Sequence, residues 1–155
     1  MRSGVRIGVD VGKVRIGVAR SDPHGMLATP VETVARGRGD VERIGAIAAE
    51  LEASEIIVGL PLALSGGETA STGDARAFAT VLSGALPYPV RLVDERLSTV
   101  SAHSAMRASG KSQKQSRSVI DQVAAVIILQ HALDFERSGG NAPGVVVVPD
   151  EGSPS

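Results

Sequence analysis

No cysteine and no tryptophan occur among the 155 residues, and aromatic residues make up only 2% of the chain. Without cysteine there is neither a disulfide framework nor a thiolate metal site, and His24, His103 and His131 are too scattered for a closed structural zinc site. The aromatic residues, Phe78, Tyr88 and Phe135, offer almost nothing on which unpaired bases can stack. That argues against an RRM-like or OB-like single-strand platform. Long hydrophobic runs are missing as well: the longest uninterrupted one, Val123 to Leu129, is far too short to span a bilayer, and Arg2, Arg6 and Asp10 precede any apolar run at the N-terminus. A cytoplasmic protein without membrane association is expected. What is present is 43% hydrophobic residues, enough for one globular domain with its own core.

The formal net charge of -1 conceals segregation, because residues 1–39, 40–76, 77–120 and 121–155 carry +4, -5, +4 and -4. From Arg96 to Ile120 the cations Arg96, Arg107, Lys111, Lys114 and Arg117 occur with no acidic residue between them. Such a block is a candidate phosphate-contacting surface, with a solvated helix face and polar loop as the plain alternative.

Val5 to Val9 and Val14 to Ala19 read as two strands joined by a Gly-containing turn, and Met26 to Val34 as a third, with Pro30 marking an edge or a bulge. Asp40 can cap a helix whose apolar positions are Val41, Ile44, Ile47, Ala48 and Leu51. Glu55 to Pro61 reads as a buried strand, Ser65 to Gly73 as a polar loop, Thr72 to Ser83 as a helix and Pro89 to Asp94 as a further strand. Helices follow over Thr99–Ala108 and Lys114–Arg137, with a polar link between them. This order predicts an α/β fold with a mixed five-stranded sheet, a three-strand antiparallel meander plus two parallel strands, flanked by helices. The expected domain spans 1–137. Residues 138–155, rich in Gly, Pro and Ser, read as a mostly disordered tail with an added edge strand available around Val145 to Val148.

Asp10 ends the first strand in Gly8-Val9-Asp10-Val11-Gly12, Glu95 follows the last core strand, and Asp121 lies on the long helix in register with Ala124, Ala125, Ile128 and Ala132. Each has a structural alternative: turn chemistry for Asp10, an ion pair with Arg96 or Arg91 for Glu95, and an i-4 pair with Arg117 for Asp121. Carboxylates that converge need a cation between them, and an all-oxygen donor set suits Mg²⁺ (or Mn²⁺) better than zinc. The chemistry of such a cluster is phosphodiester hydrolysis, in which two ions about 4 Å apart activate a water and stabilise the leaving oxygen. Asp94 should face away from Glu95 and act as structural support.

These motifs, together with Arg15-Ile16-Gly17-Val18-Ala19, Val58-Gly59-Leu60-Pro61, Asp94-Glu95-Arg96-Leu97-Ser98-Thr99 and Ala124-Ala125-Val126-Ile127-Ile128-Leu129-Gln130, resemble the YqgF-type Holliday-junction resolvases, also described as pre-16S rRNA nucleases. The resemblance runs from Val5 to about Arg137. It implies a ribonuclease H-like fold and catalytic, metal-binding positions at Asp10, Glu95 and Asp121. It also implies maturation of the 5′ end of precursor 16S rRNA, with cleavage of four-way DNA junctions as the other activity. Nucleic acid, either precursor rRNA or branched DNA, is the expected partner, held by Arg15, Arg96, Lys111, Lys114 and Arg117. The chain departs from the pattern after Leu62, where Ala63-Leu64-Ser65-Gly66 replaces an Asn-Met-Asp-Gly-like segment and lacks its acid.

Two other readings compete. A sugar-kinase or actin-like ATPase also opens with an Asp-x-Gly turn, but it needs two such domains, and the Ser65 to Gly73 loop lacks a P-loop ending. A non-catalytic RNA-binding module of the same fold would have no need to retain all three carboxylates. Within the enzyme reading, a junction resolvase needs a homodimer, whereas a precursor-trimming nuclease can act as a monomer.

Overall fold

A computed structural model describes residues 3–63, 65–94 and 113–147, excepting the side chains of 113–121. The elements in chain order are β1 (Val5–Val11), β2 (Arg15–Ser21), β3 (Ala28–Ala35), α1 (Asp40–Glu50), β4 (Ala53–Leu60), α2 (Ala70–Ala85), β5 (Val90–Asp94), α3 (Gln113–Gly139) and β6 (Val145–Val146). They build one mixed sheet of order β3-β2-β1-β4-β5-β6. β1, β2 and β3 pair as an antiparallel meander, and β4 and β5 extend it in parallel to β1. The five expected strands are thus joined by a sixth, a two-residue edge strand antiparallel to β5. The expected helix over Thr99–Ala108 lies outside the described residues.

Strand alternation divides the core into two. On one face Ile7, Val9, Ile16, Val18, Ile56, Val58 and Leu92 pack against α1 and α2. Helix α2 presents Ala75, Phe78, Ala79 and Leu82 to them at helical spacing, and starts from a capping box between Thr69 and Thr72. On the other face, Ala19, Ala28 and Ile57 meet Ala125, Ile128, Leu129, Ala132 and Leu133 of α3. Small residues set how close α3 comes: a Cβ on Gly8 would lie 2.8 Å from Leu129 Cβ and 3.0 Å from the Ala125 carbonyl oxygen.

Local chemistry moves two boundaries. β3 starts at Ala28 rather than Met26, because the Met26 and Leu27 amides donate to Asp22 Oδ1 at 2.7 and 2.8 Å and so leave the ladder. Asp40 is the first residue of α1 rather than its cap: Gly39 occupies the cap position at φ 89°, and Asp40 Oδ2 accepts from the Gly37 amide at 3.0 Å. Pro30 meets both of its expectations, since β3 is an edge strand and the register with β2 shifts between Val18 and Ala19, the partner of Pro30.

Candidate active site

Asp10 is half-buried near the end of β1. Val9 and Val11 pack on the α1/α2 side, so alternation turns Asp10 to the face covered by α3. Its ladder partner on β2 is Gly17, which is paired in turn with Thr33 of β3. On the other flank, Gly59 follows Val58, the partner of Val9. Asp10 therefore stands beside glycines on both neighbouring strands, which contribute no side chain at those positions.

Helix α3 runs antiparallel to β1, as two successive contacts show. At the first, Arg6 Nη2 meets Glu136 Oε2 at 3.4 Å and the Ala28 amide donates to Gln130 Oε1 at 2.9 Å. At the second, Gly8 abuts Ala125 and Leu129. Two further strand residues advance about 6.7 Å, or between four and five residues of helix, which brings the α3 backbone at about 121–123 level with Asp10. An independent contact agrees: Gln122 Nε2 donates to Thr33 Oγ1 at 2.9 Å, in the same row as Gly17 and Asp10. The side chain of Asp121 itself is outside the description, and so is Glu95, which follows β5 directly.

The strand order sets the remaining geometry, with β5 two places from β1 and β4 between them. A group following β5 must reach across β4 to share a ligand with Asp10. Asp94, exposed at the end of β5, lines two surface cavities, one with Leu60, Arg76 and Leu92 on the α2 side and one with Val93, Ile128 and His131 on the α3 side. Its neighbour Val93 packs on the α3 side. Arg15 starts β2 half-buried, two residues from Gly17 on the α3 face and nearer the open end. Arg96 and Lys111 lie outside the described residues, as do the side chains of Lys114 and Arg117. Among the described residues, no three His, Cys, Asp or Glu side chains cluster to hold a metal. Of the expected carboxylates, Asp10 alone has a described side chain, and an oxygen donor with glycine on both flanks fits a hard divalent cation.

The turn beyond Asp10 is fixed by Arg36, in the Arg36-Gly37-Arg38-Gly39 stretch before α1, to which the sequence assigns no role. Arg36 Nη1 donates to the Gly12 carbonyl at 2.8 Å, while Nη1 and Nη2 fork onto Asp74 at 2.9 and 2.8 Å. The guanidinium also sits 5.0 Å from the centroid of the Phe78 ring. The hydrogen-bonded Arg36 holds the Asp74 carboxyl below its ordinary value, helped by the charge of Lys13. No sequence signal joins Gly12, Arg36 and the Asp74/Phe78 face of α2, which come from three separate segments.

A mixed sheet opening with an antiparallel meander, covered on one face by a long helix that passes the end of its first strand, defines the ribonuclease H-like class. Solved structures agree: a T. thermophilus RuvC in complex with Holliday junction substrate matches at TM-score 0.55 and 17% identity, over 90% of this chain and 99% of the other. A second Thermus thermophilus RuvC structure matches at TM-score 0.52 and 18% identity. Within that class the chain belongs to the RuvX family, described as Holliday junction resolvase, whose model matches residues 4–135. A Leifsonia xyli relative named "Putative pre-16S rRNA nuclease" is 65% identical over 151 residues, covering 96% of this chain and 97% of the relative. A Clavibacter michiganensis relative of the same name is 63% identical over 150 residues, covering 95% and 93%. The chain is an enzyme of a nuclease family. Among the described residues, no helix is long and apolar enough to cross a membrane.

Proposed function

We propose that this chain is a divalent-metal-dependent nuclease that hydrolyses phosphodiester bonds in structured nucleic acid, with the 5′ end of precursor 16S rRNA as its substrate. Asp10, Glu95 and Asp121 are the residues that would hold Mg²⁺ or Mn²⁺. The observation that carries this reading is the row Asp10–Gly17–Thr33 with Gln122 above it: a carboxylate with glycine on both flanks, at the level where α3 contributes residues 121–123. When bound, the metal supplies Lewis acidity and an activated water. The protein supplies a fixed carboxylate on a rigid strand, glycines beside it, and cations for phosphates. Arg15 stands on the same face towards the open end, and Arg96, Lys111, Lys114 and Arg117 extend the phosphate contacts. The strongly similar relatives named for precursor 16S rRNA favour that substrate over the four-way junction.

The test is a cleavage assay in Mn²⁺ with precursor 16S rRNA fragments and four-way DNA junctions side by side. Cleavage of the rRNA fragment at its 5′ side by wild type, with a loss of about 10³-fold or more in Asp10→Asn, is the expected result. Preferential cutting of the junction would replace the substrate. Full activity of Asp10→Asn on either substrate would remove Asp10 from the site.

A further inference from the structure

We infer that Arg36 is a positioning residue for Asp10, acting through the backbone of the turn that follows β1. The inference rests on the metal-dependent reading above and adds to it a residue outside the acidic set. Val11–Ile16 is the last ladder pair of the β1–β2 hairpin, so beyond it the chain carrying Asp10 is no longer held by the sheet. Gly12 takes over that function from both sides of its residue. Its amide donates to the Arg15 carbonyl at 3.0 Å, and its own carbonyl accepts from Arg36 Nη1 at 2.8 Å. A Cβ at position 12 would stand 2.5 Å from the Arg15 carbonyl oxygen, so the turn closes this tightly only with glycine.

Arg36 is itself immobilised. Two hydrogen bonds to Asp74, an approach of its Nε to Asp40 Oδ2 at 3.8 Å and the Phe78 ring fix the guanidinium plane, and its side chain is 22% exposed. A planar fork can serve a carboxylate and a carbonyl at once, which a lysine ammonium does less rigidly. The chain of contact therefore runs from α2 through Asp74 and Arg36 to Gly12, two residues from Asp10. A plain brace between β3 and α2 would need only the Asp74 fork, and the bond to the Gly12 carbonyl would have no consequence for a metal.

Direct Mn²⁺ titration by calorimetry or electron paramagnetic resonance separates the two, using Arg36→Ala, Arg36→Lys, Asp74→Asn, Asp10→Asn and the control Arg43→Ala. Arg43 forms an ion pair of the same kind with Glu32 but touches nothing near Gly12. Arg36→Ala should weaken Mn²⁺ binding about tenfold, within the range seen when groups orienting metal ligands are removed. Arg36→Lys and Asp74→Asn should show smaller losses, and Arg43→Ala none. In cleavage at sub-saturating Mn²⁺, kcat should fall in the Arg36 variants with KM for nucleic acid unchanged. If Arg36→Ala does not fold, Arg36→Lys and Asp74→Asn decide the matter by the same readout. Wild-type Mn²⁺ affinity in the Arg36 and Asp74 variants, alongside a loss in Asp10→Asn, overturns this inference alone. No Mn²⁺ binding by wild type overturns the metal-dependent reading and this inference with it.

Discussion

Where α3 ends beside the start of β1, Arg6 and Glu136 are buried at 1% and 3% exposure, and Glu55 at 3% lies 3.7 Å from Arg6 and 3.2 Å from the half-buried Arg91. Two cations and two anions balance there, and Arg91 also donates to the Pro143 carbonyl at 3.2 Å, tying in the segment that leads to β6. Where the same helix passes the far end of β1, the carboxylate of Asp10 has glycine on each neighbouring strand. Both ends lie on one face of one sheet under one helix. The first end carries its own counter-charges and serves as an anchor, whereas the second sets a half-buried carboxylate among glycines, where we propose that a metal binds.

Breaking the anchor should have the largest effect on stability. Glu136→Ala leaves Arg6 buried with less compensation and should cost about 3–5 kcal/mol, read by denaturant unfolding, while cleavage per folded molecule stays at the wild-type level. A change under 1 kcal/mol would show that this end is not an anchor. Gly8→Ala probes the middle of the helix–strand contact and should affect both ends, because its Cβ forces Leu129 and the Ala125 backbone away. Such overpacking costs about 1–3 kcal/mol, and cleavage should fall with it as α3 shifts against β1. Lost stability with unchanged cleavage would uncouple the helix from the site.

The smallest effect is a pH dependence at the bracket around the turn. Hydrogen bonding to Arg36 lowers the folded-state value of Asp74 below that of the unfolded chain. Its contribution is therefore fully present above the ordinary carboxylate range and is lost as pH falls through the lowered value. The melting-temperature gap between wild type and Asp74→Asn should close as the solution is acidified from neutral. A gap that stays constant with pH would mean that the fork contributes no stability.

Much of this was legible in the sequence for a physical reason. Periodicity of two and of 3.6 is written locally, so the meander, the two parallel strands and the long helix could be read from Val5–Val9, Ile56–Val58 and the Ala125-Ile128-Leu129-Ala132 face. Asp10 was visible because a charge interrupts an apolar strand beside glycine. Gly17 and Gly59 belonged to recognisable motifs, but their meaning as neighbours of Asp10 depends on strand register, which local pattern does not encode. The Arg6–Glu136 pair spans 130 positions, and Arg36 ties the Gly12 turn to α2, so neither leaves a local trace. The start of β3 was misplaced by two residues because an Asp22 side chain outcompetes the ladder for two amides.

Calorimetric titration of Mn²⁺ into wild type and Asp10→Asn tests the contrast between the two ends most directly. The account predicts measurable binding to wild type that is lost in Asp10→Asn, since an amide is a poor substitute for a carboxylate in holding a hard divalent cation. Equal Mn²⁺ affinity in the two proteins would contradict it and make the end of β1 another structural part of the fold.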